Sequence, residues 1–274
     1  MDYVGFFDQD YSKDIETREK AGTPPILQTI KTALAMEVKG KVGTKVIEKI
    51  ENRNKTLFFD HFRDHKKIEI IGVKDPDKRI PIISFNIKHL DKYFHPRFVT
   101  RLLSDLFGIL SRAGCSCAGP YGHRLLHITN DISQRYRKTI VEKGITGVKP
   151  GWVRVNLHWV FTEKDVEFII DAVEFIAKYG DRLLKVYNFD PVSADWKHIG
   201  QAQSQFSFGL DSDFDIESIN ISDIGKLRKA YMKKAADAVS KLSRPSHRDY
   251  IKYERRIEEL KYFYHCNEKK PGDK

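Results

Sequence analysis

The stretch that decides the fold runs from Arg112 to Gly122 and reads Arg-Ala-Gly-Cys-Ser-Cys-Ala-Gly-Pro-Tyr-Gly. Small residues surround its two thiols, and a Pro-Tyr-Gly turn closes it. Such a loop can bring backbone and sulfur close to a bound molecule. Further along the chain, residues 151–158 (Gly-Trp-Val-Arg-Val-Asn-Leu-His) alternate as a strand that carries one arginine, Arg154. A thiol loop together with an arginine strand is typical of a substrate site.

The composition predicts a folded protein with a packed core. Hydrophobic residues make up 41% of the 274 residues and aromatic residues 12%, which is enough for one large domain or two ordinary ones. No apolar run is long enough to span a bilayer, and the N-terminus lacks the features of a secretory signal. The three cysteines cannot all pair, and Cys115 and Cys117 are too close for a relaxed disulfide. We therefore expect a cytoplasmic location and no membrane partner.

The net charge of +10 raises the question of nucleic-acid binding. Residues 222–274 hold 15 Lys and Arg against 8 Asp and Glu, so this tail alone carries +7 (15 − 8). Lysine-rich helices are most often solvated faces, and the tail has no helix-turn-helix or glycine-rich aromatic motif. We therefore expect nucleic acid not to be a partner. A non-enzymatic module that binds nucleic acid or an acidic partner through the tail is kept as the alternative function.

Hydrophobic periodicity predicts that helices and strands alternate between residues 45 and 180, which indicates an α/β or α+β class. The predicted helices cover residues 26–39, 46–62, 96–107, 162–179, 227–242 and 251–264, and residues 123–142 are predicted to be helical or broken by turns. The predicted strands cover residues 67–72, 80–87, 109–113 and 152–160. Gly108 and Gly180 are interpreted as helix stops.

Three segments in this order and spacing carry a family resemblance: Arg18-Glu-Lys-Ala-Gly-Thr-Pro24, the first nine residues of the thiol loop, and Gly151-Trp-Val-Arg-Val-Asn156. They resemble the C-terminal part of class V aminotransferase-like enzymes, and most of all the cysteine desulfurase and selenocysteine lyase branch. The likeness covers roughly residues 10–185. It implies a fold-type-I enzyme that uses pyridoxal 5'-phosphate, forms a homodimer, and acts on an amino acid by cysteine desulfuration or transamination.

The resemblance also implies a domain organisation. Residues 1–40 are expected to be a remnant of the large cofactor-binding domain, and residues 41–185 the C-terminal small domain. Residues 186–274 are expected to form an acidic connection and a basic helical extension. The small domain of the family is a short, mostly antiparallel sheet with helices on one side. The helix that follows Pro25 would then expose its apolar face.

One departure from the family concerns the lysine that holds the cofactor. In the family it belongs to a Ser-x-His-Lys-type motif upstream of the Gly-Thr-Pro segment, whereas the His-Lys pair of this chain, His65-Lys66, comes after that segment. We therefore expect a truncated C-terminal portion that is inactive by itself. Whether the chain is an enzyme is left open.

Arg154 is the candidate for binding the carboxylate of the substrate. A guanidinium group donates two parallel hydrogen bonds to a carboxylate, and the resemblance gives this position that role. The alternative from the residues alone is a structural salt bridge or an exposed edge arginine.

Cys117 is the candidate catalytic residue. It matches the cysteine that, in desulfurases, attacks the sulfur of the substrate, and such a thiol needs an accessible loop near cationic groups. The alternatives are that both thiols of the loop are small packed residues, or that Cys115 and Cys117 bind zinc with His123 and His127. We expect no metal site.

Gly22 and Thr23 are the candidate cofactor-binding residues. A hydroxyl and an amide just before a helix suit a phosphate group, because free N–H groups and the helix dipole favour an anion there. The resemblance implies that Thr23 reaches the cofactor phosphate across a dimer interface. The alternative is that this segment only caps the helix.

Overall fold

The structure is a computed structural model and describes residues 2–20, 22–115, 119–200 and 223–268. Its contacts divide the chain into two units, Met1–Lys49 and Ile50–Lys274. The division falls shortly after the boundary that the sequence places at residue 40.

The first unit begins with two short antiparallel strands, β1 (Tyr3–Val4) and β2 (Gln9–Asp10), followed by the short helix α1 (Ile15–Glu19). Helix α2 (Ile26–Val42) follows and contains no buried residue. Its Ile26, Ile30 and Leu34 are all more than half exposed, in agreement with the expected apolar face. Helix α3 (Thr44–Phe62) starts in this unit and ends in the second.

The second unit contains the remaining elements that the structure describes. Its helices are α4 (Pro96–Phe107), α5 (Gly119–Leu125), α6 (Asn130–Lys143), α7 (Glu163–Leu183), α8 (Ile224–Ser240) and α9 (Arg255–Glu258). Its strands are β3 (Ile68–Ile70), β4 (Ile82–His89), β5 (Lys92–Tyr93), β6 (Arg112–Gly114), β7 (Trp152–Asn156), β8 (Tyr187–Phe189), β9 (Trp196–His198) and β10 (Asn267–Glu268).

The main sheet has the strand order β3-β4-β7-β6, with β5 paired to β4, and every pairing in it is antiparallel. Alternate residues of the strands build one apolar face, on which Phe85 and Val153 lie side by side and almost fully buried. Helices α4 and α7 contact this sheet. The predicted small, mostly antiparallel sheet with helices, in a mixed α/β class, is confirmed.

The ends of α4 and α7 follow the signals in the sequence. Pro96 is the first residue of α4, and Gly108 ends it in the left-handed conformation that glycine adopts easily. Thr162 caps α7 and Asp165 completes the capping box, as predicted. Both helices bury an apolar stripe against the sheet: α4 contacts β6 and β7, and α7 contacts β4.

Several predicted boundaries are wrong. Gly180 does not end α7, which continues to Leu183. A Cβ atom at Gly180 would lie 2.9 Å from Cε2 of Phe94. The glycine therefore lets the ring of Phe94 pack closely against the backbone of α7. The strands predicted at 109–113 and 152–160 are shorter, at Arg112–Gly114 and Trp152–Asn156. The helix predicted at 251–264 is reduced to α9.

The described part of the chain after residue 186 is built into the core of the second unit. Strands β9 and β10 flank β8, and Phe189, Trp196 and Phe263 are almost fully buried together with residues of α4. The predicted helix near 227–242 is present as α8, which contacts α4 and α7. None of the helices in the described ranges has the length and apolar character needed to cross a membrane.

Candidate active site

Arg154 lies in the middle of the main sheet, on the face opposite the apolar core. In the ladder it is paired with Ser84 of β4 on one side and with Arg112 of β6 on the other. Directly opposite residues in antiparallel strands project from the same face of the sheet. Two arginines and a serine therefore form one row across three strands.

The two guanidinium groups of this row have no acidic partner in the described ranges of the chain. Arg154 is half-buried and Arg112 is exposed, and neither makes a hydrogen bond or ion pair with another described residue. A half-buried cation is normally paired, because removing it from water costs free energy. The row is therefore suited to hold an anion such as a carboxylate.

Two residues further along β4, the same face of the sheet again carries polar side chains on β3 and β4. Asn86 is 5% exposed, and its Oδ1 atom accepts no hydrogen bond within the part of the chain that the structure describes. Beside it in the ladder is Glu69, which accepts a hydrogen bond from the hydroxyl of Tyr93. Burial, followed by this hydrogen bond, raises the pKa of Tyr93 to about 12. An unsatisfied buried oxygen beside the arginine row indicates a face that receives a polar group.

The thiol loop starts at the end of β6. Gly114 lies opposite Trp152, two residues before Arg154, and Cys115 follows at once as a half-buried free thiol. A Cβ atom at Gly151 would lie 2.7 Å from Cα of Gly114, so only glycine allows the two strands to approach here. The end of β6 and the arginine strand are thus held together. Cys117, the predicted catalytic residue, lies outside the described residues.

A cavity of 420 Å³ opens beside the loop and is lined by Cys115, Gly114, Arg112 and Gly151, among others. Arg154 is not among the described residues that line it. The structure therefore places Arg112, and not Arg154, between the polar face of the sheet and the space beside the thiol.

Gly22 and Thr23, the candidates for phosphate binding, precede α2 in the first unit. Both are exposed, and Gly22 has a φ of 93°. The N-cap of α2 is Pro25, which provides no side-chain cap. Within the described residues Thr23 makes no hydrogen bond to the helix, so the capping alternative gains no support from this geometry.

The sequence does not reveal that Arg112 and Ser84 are neighbours of Arg154, although Arg112 is the first residue of the thiol loop. The register of β6 against β7 brings the two arginines together, and no single-sequence signal gives that register. For zinc, no group of three His, Cys, Asp or Glu side chains that could hold a metal ion occurs among the residues described.

Comparison with known proteins identifies what these segments are similar to. The family model described as Aminotransferase class-V matches residues 2–169, more than half of the chain. A probable cysteine desulfurase of Staphylococcus aureus (strain N315) is 32% identical over 120 residues, covering 44% of this chain and 27% of that protein. A probable cysteine desulfurase of Methanothermobacter thermautotrophicus is 25% identical over 169 residues, covering 61% of this chain and 36% of that protein.

Among solved structures, the apo structure of a cysteine desulfurase from Thermococcus onnurineus NA1 is similar, with a TM-score of 0.47 and 22% identity. It covers 64% of this chain and 37% of that one. The chain thus spans about a quarter to a little over a third of the length of these relatives.

Proposed function

Because the chain belongs to the class V aminotransferase family, we propose that it forms the part of a pyridoxal-phosphate-dependent site that holds the carboxylate of an amino-acid substrate. The observation that carries this proposal is Arg154, a half-buried guanidinium that has no acidic partner among the described residues. It stands in the Gly-Trp-Val-Arg motif at the place where the family resemblance assigns the carboxylate anchor.

The roles of the side chains follow from their chemistry. Arg154 orients the substrate by two charge-assisted hydrogen bonds to its carboxylate. Thr23, whose hydroxyl makes no hydrogen bond within the described residues, donates to the phosphate of a cofactor across a dimer interface. When bound, pyridoxal phosphate supplies an electron sink for the α-carbon of an amino acid. Thr23 has the chemistry for a phosphate and Arg154 the chemistry for a carboxylate, and no residue of the sequence matches the family's cofactor lysine.

The proposed reaction is cysteine desulfuration, with transamination as the other reaction of the same family. In desulfuration the thiolate of Cys117 attacks the sulfur of the substrate cysteine: an S–S bond forms as the carbon–sulfur bond breaks, and the electron pair of that bond stays with the carbon, which takes up a proton and leaves as alanine. This step requires that the loop present Cys117 to the bound amino acid. Support for this choice comes from the position of Cys117 in the motif and from the relatives, which are described as probable cysteine desulfurases.

Titration calorimetry with L-cysteine and with cysteamine, which lacks the carboxylate, tests the role of Arg154. We expect that only cysteine binds, and that Arg154→Gln weakens its binding about tenfold to a hundredfold, the range for losing hydrogen bonds to a charged group. Arg137→Gln removes an exposed arginine of α6 and serves as the matched control. Equal binding of the two compounds, or equal effects of the two variants, would contradict the proposal.

Mass spectrometry distinguishes the two reactions. After incubation with cysteine and pyridoxal phosphate, a gain of one sulfur atom on Cys117 that disappears in Cys117→Ser supports desulfuration. Formation of a keto acid without that gain supports transamination. If neither occurs while cysteine still binds through Arg154, the chain contributes only to substrate binding.

The alternative function, a basic module for nucleic acid or an acidic partner, is less well supported. Several cations of the tail are occupied by acidic groups: Arg228 pairs with Asp165, Arg244 with Asp181 at 3.3 Å, and Lys261 with Glu258 at 2.9 Å. The segment therefore helps to hold the second unit together, and its formal charge overstates the free positive charge it offers.

A further inference from the structure

The 420 Å³ cavity beside β6 has the character of a second binding site. Its wall includes three cationic residues, Arg97, Arg112 and Lys149, and no acidic residue among those that are described. We propose that this cavity binds a small organic phosphate. This inference does not rest on the proposed substrate role of Arg154, which is absent from the lining.

The charge of the cavity carries the argument. Arg97 is neutralised in part, since its Nη1 atom lies 3.0 Å from Oδ1 of Asp195 and donates to the carbonyl of Ser193 at 2.8 Å. Arg112 and Lys149 make no side-chain ion pair or hydrogen bond within the described residues. Both residues are exposed at the mouth of the cavity. Two cations that share one concave wall attract a dianion more strongly than a monoanion.

The start of α4 adds to this positive potential. His95 and Pro96, the N-cap and first residue of this 12-residue helix, line the cavity together with Arg97. A helix N-terminus carries partial positive charge. Pro96 has no N–H group and the amide of Arg97 already donates to His95, so this end of α4 acts through its dipole. The imidazole of His95 is held neutral, because its Nδ1 accepts from the amide of Arg97 at 3.2 Å and its Nε2 donates to the carbonyl of Gly147 at 3.1 Å.

Part of the wall is apolar, which favours a phosphate attached to a compact organic body over the inorganic ion. Pro96, Ile140, Pro150 and Ala194 form this part. The volume of 420 Å³ falls in the usual range for small-molecule sites.

Two of the lining residues come from the part of the chain beyond residue 169, where the family match ends. Ala194 and Tyr262 both line the cavity. The hydroxyl of Tyr262 donates to the carbonyl of Lys149 at 3.1 Å, which connects the segment after α9 to the loop that carries Lys149. Burial raises the pKa of Tyr262 well above its ordinary value, so its hydroxyl remains a donor. The cavity is thus completed by residues outside the matched region.

Titration calorimetry of the full chain with phenyl phosphate and benzyl alcohol tests the proposal, since the two probes share an aromatic body and differ in the anion. We expect phenyl phosphate to bind and benzyl alcohol not to bind. Lys149→Gln and Arg112→Gln should each weaken binding at least tenfold, whereas Lys138→Gln, the same change at an exposed lysine of α6, should leave it unchanged. Arg154→Gln, next to Arg112 but outside the lining, should weaken binding less than Arg112→Gln does, which separates this site from the carboxylate anchor.

The Cys115 thiol gives a second readout, because it lines the same cavity. In a chain with Cys117→Ser and Cys266→Ser, phenyl phosphate should slow alkylation of Cys115 by iodoacetamide at least fivefold, and Lys149→Gln should abolish this protection. Circular dichroism checks that each variant is folded. Absence of phenyl phosphate binding, equal binding of inorganic phosphate, or equal effects of Lys149→Gln and Lys138→Gln would overturn the proposal.

Discussion

Arg112 lies directly opposite Arg154 in the antiparallel pairing of β6 and β7, so two guanidinium groups start from neighbouring positions on one face of the sheet. Like charges at directly opposite positions destabilise a sheet. Neither arginine has an acidic partner in the described chain, so this face of the sheet is suited to bind an anion. The repulsion between the two charges lowers the stability of the fold when no anion is bound.

The first prediction concerns this repulsion. Arg112→Gln should raise the free energy of unfolding by roughly 0.2–1 kcal/mol at low ionic strength, because it removes one of two like charges. The gain should shrink in high salt, which screens the interaction between the exposed group and its neighbour. Urea denaturation at two salt concentrations measures it. A loss of stability at both concentrations would show that Arg112 has a stabilising partner.

The second prediction concerns Gly180 in the middle of α7. Gly180→Ala should lower the free energy of unfolding by about 1–3 kcal/mol, because the new Cβ would lie 2.9 Å from the ring of Phe94 and overpack the core. Helix propensity alone favours the opposite result, by about 1 kcal/mol. Gly40→Ala in α2, where a Cβ meets nothing within 4 Å, is the matched control and should be neutral or stabilising. Thermal unfolding of both variants decides between propensity and packing.

Gly180 shows which features of the fold local sequence predicts and which it does not. The strands, α4 and the capping box of α7 follow from local signals, namely periodicity, Pro96, Gly108 and the Thr162–Asp165 pair. In the sequence, Gly180 and Gly108 both look like residues that end a helix. Gly180 is instead a glycine because Phe94, distant along the chain, packs against it. Local patterns therefore predict the elements, whereas the reason for a glycine at position 180 lies in long-range packing.

The candidate site shows the same division. Arg154 could be named because the motif around it resembles a known family, whereas its neighbour Arg112 required the register of β6. The segment after residue 250 was predicted as a helix from its spaced apolar residues. In the structure Ile257 and Leu260 pack against Tyr136 and Val148, and Tyr262 reaches the cavity beside β6. No periodicity in one segment reveals contacts of this kind.

The third prediction concerns the exposed apolar residues of α2. Ile30 and Leu34 are 51% and 55% exposed on a helix that buries none of its residues, so the isolated chain should self-associate at micromolar concentration. The double variant Ile30→Glu and Leu34→Glu should reduce this association. Lys31→Glu, one position away on the same helix, is the control for added negative charge. Size-exclusion chromatography with light scattering measures it, and a monomeric unmodified chain would contradict the prediction.

The fourth prediction concerns the buried histidine at the start of α4. Burial is the main reason that the pKa of His95 is lowered to about 3, and both of its ring nitrogens are occupied in the neutral form. The unfolded chain binds a proton at a pKa near 6.5, so between about pH 6.5 and pH 3 the unfolded state holds more protons than the folded state. Stability contributed by the neutral imidazole is therefore lost as the pH falls through this window.

At pH 5 this single group should lower the free energy of unfolding by about 2 kcal/mol relative to pH 7.5. His89 and His265, whose pKa values burial lowers to about 4 and about 3, act in the same direction. His95→Gln should be less stable at pH 7.5, because the cap of α4 is altered, yet should lose less stability than the unmodified chain between pH 7.5 and pH 5. His247→Gln, at an exposed histidine, is the control. Urea denaturation across this range measures the slope, and an unchanged slope in His95→Gln would mean that the ring takes up its proton without unfolding.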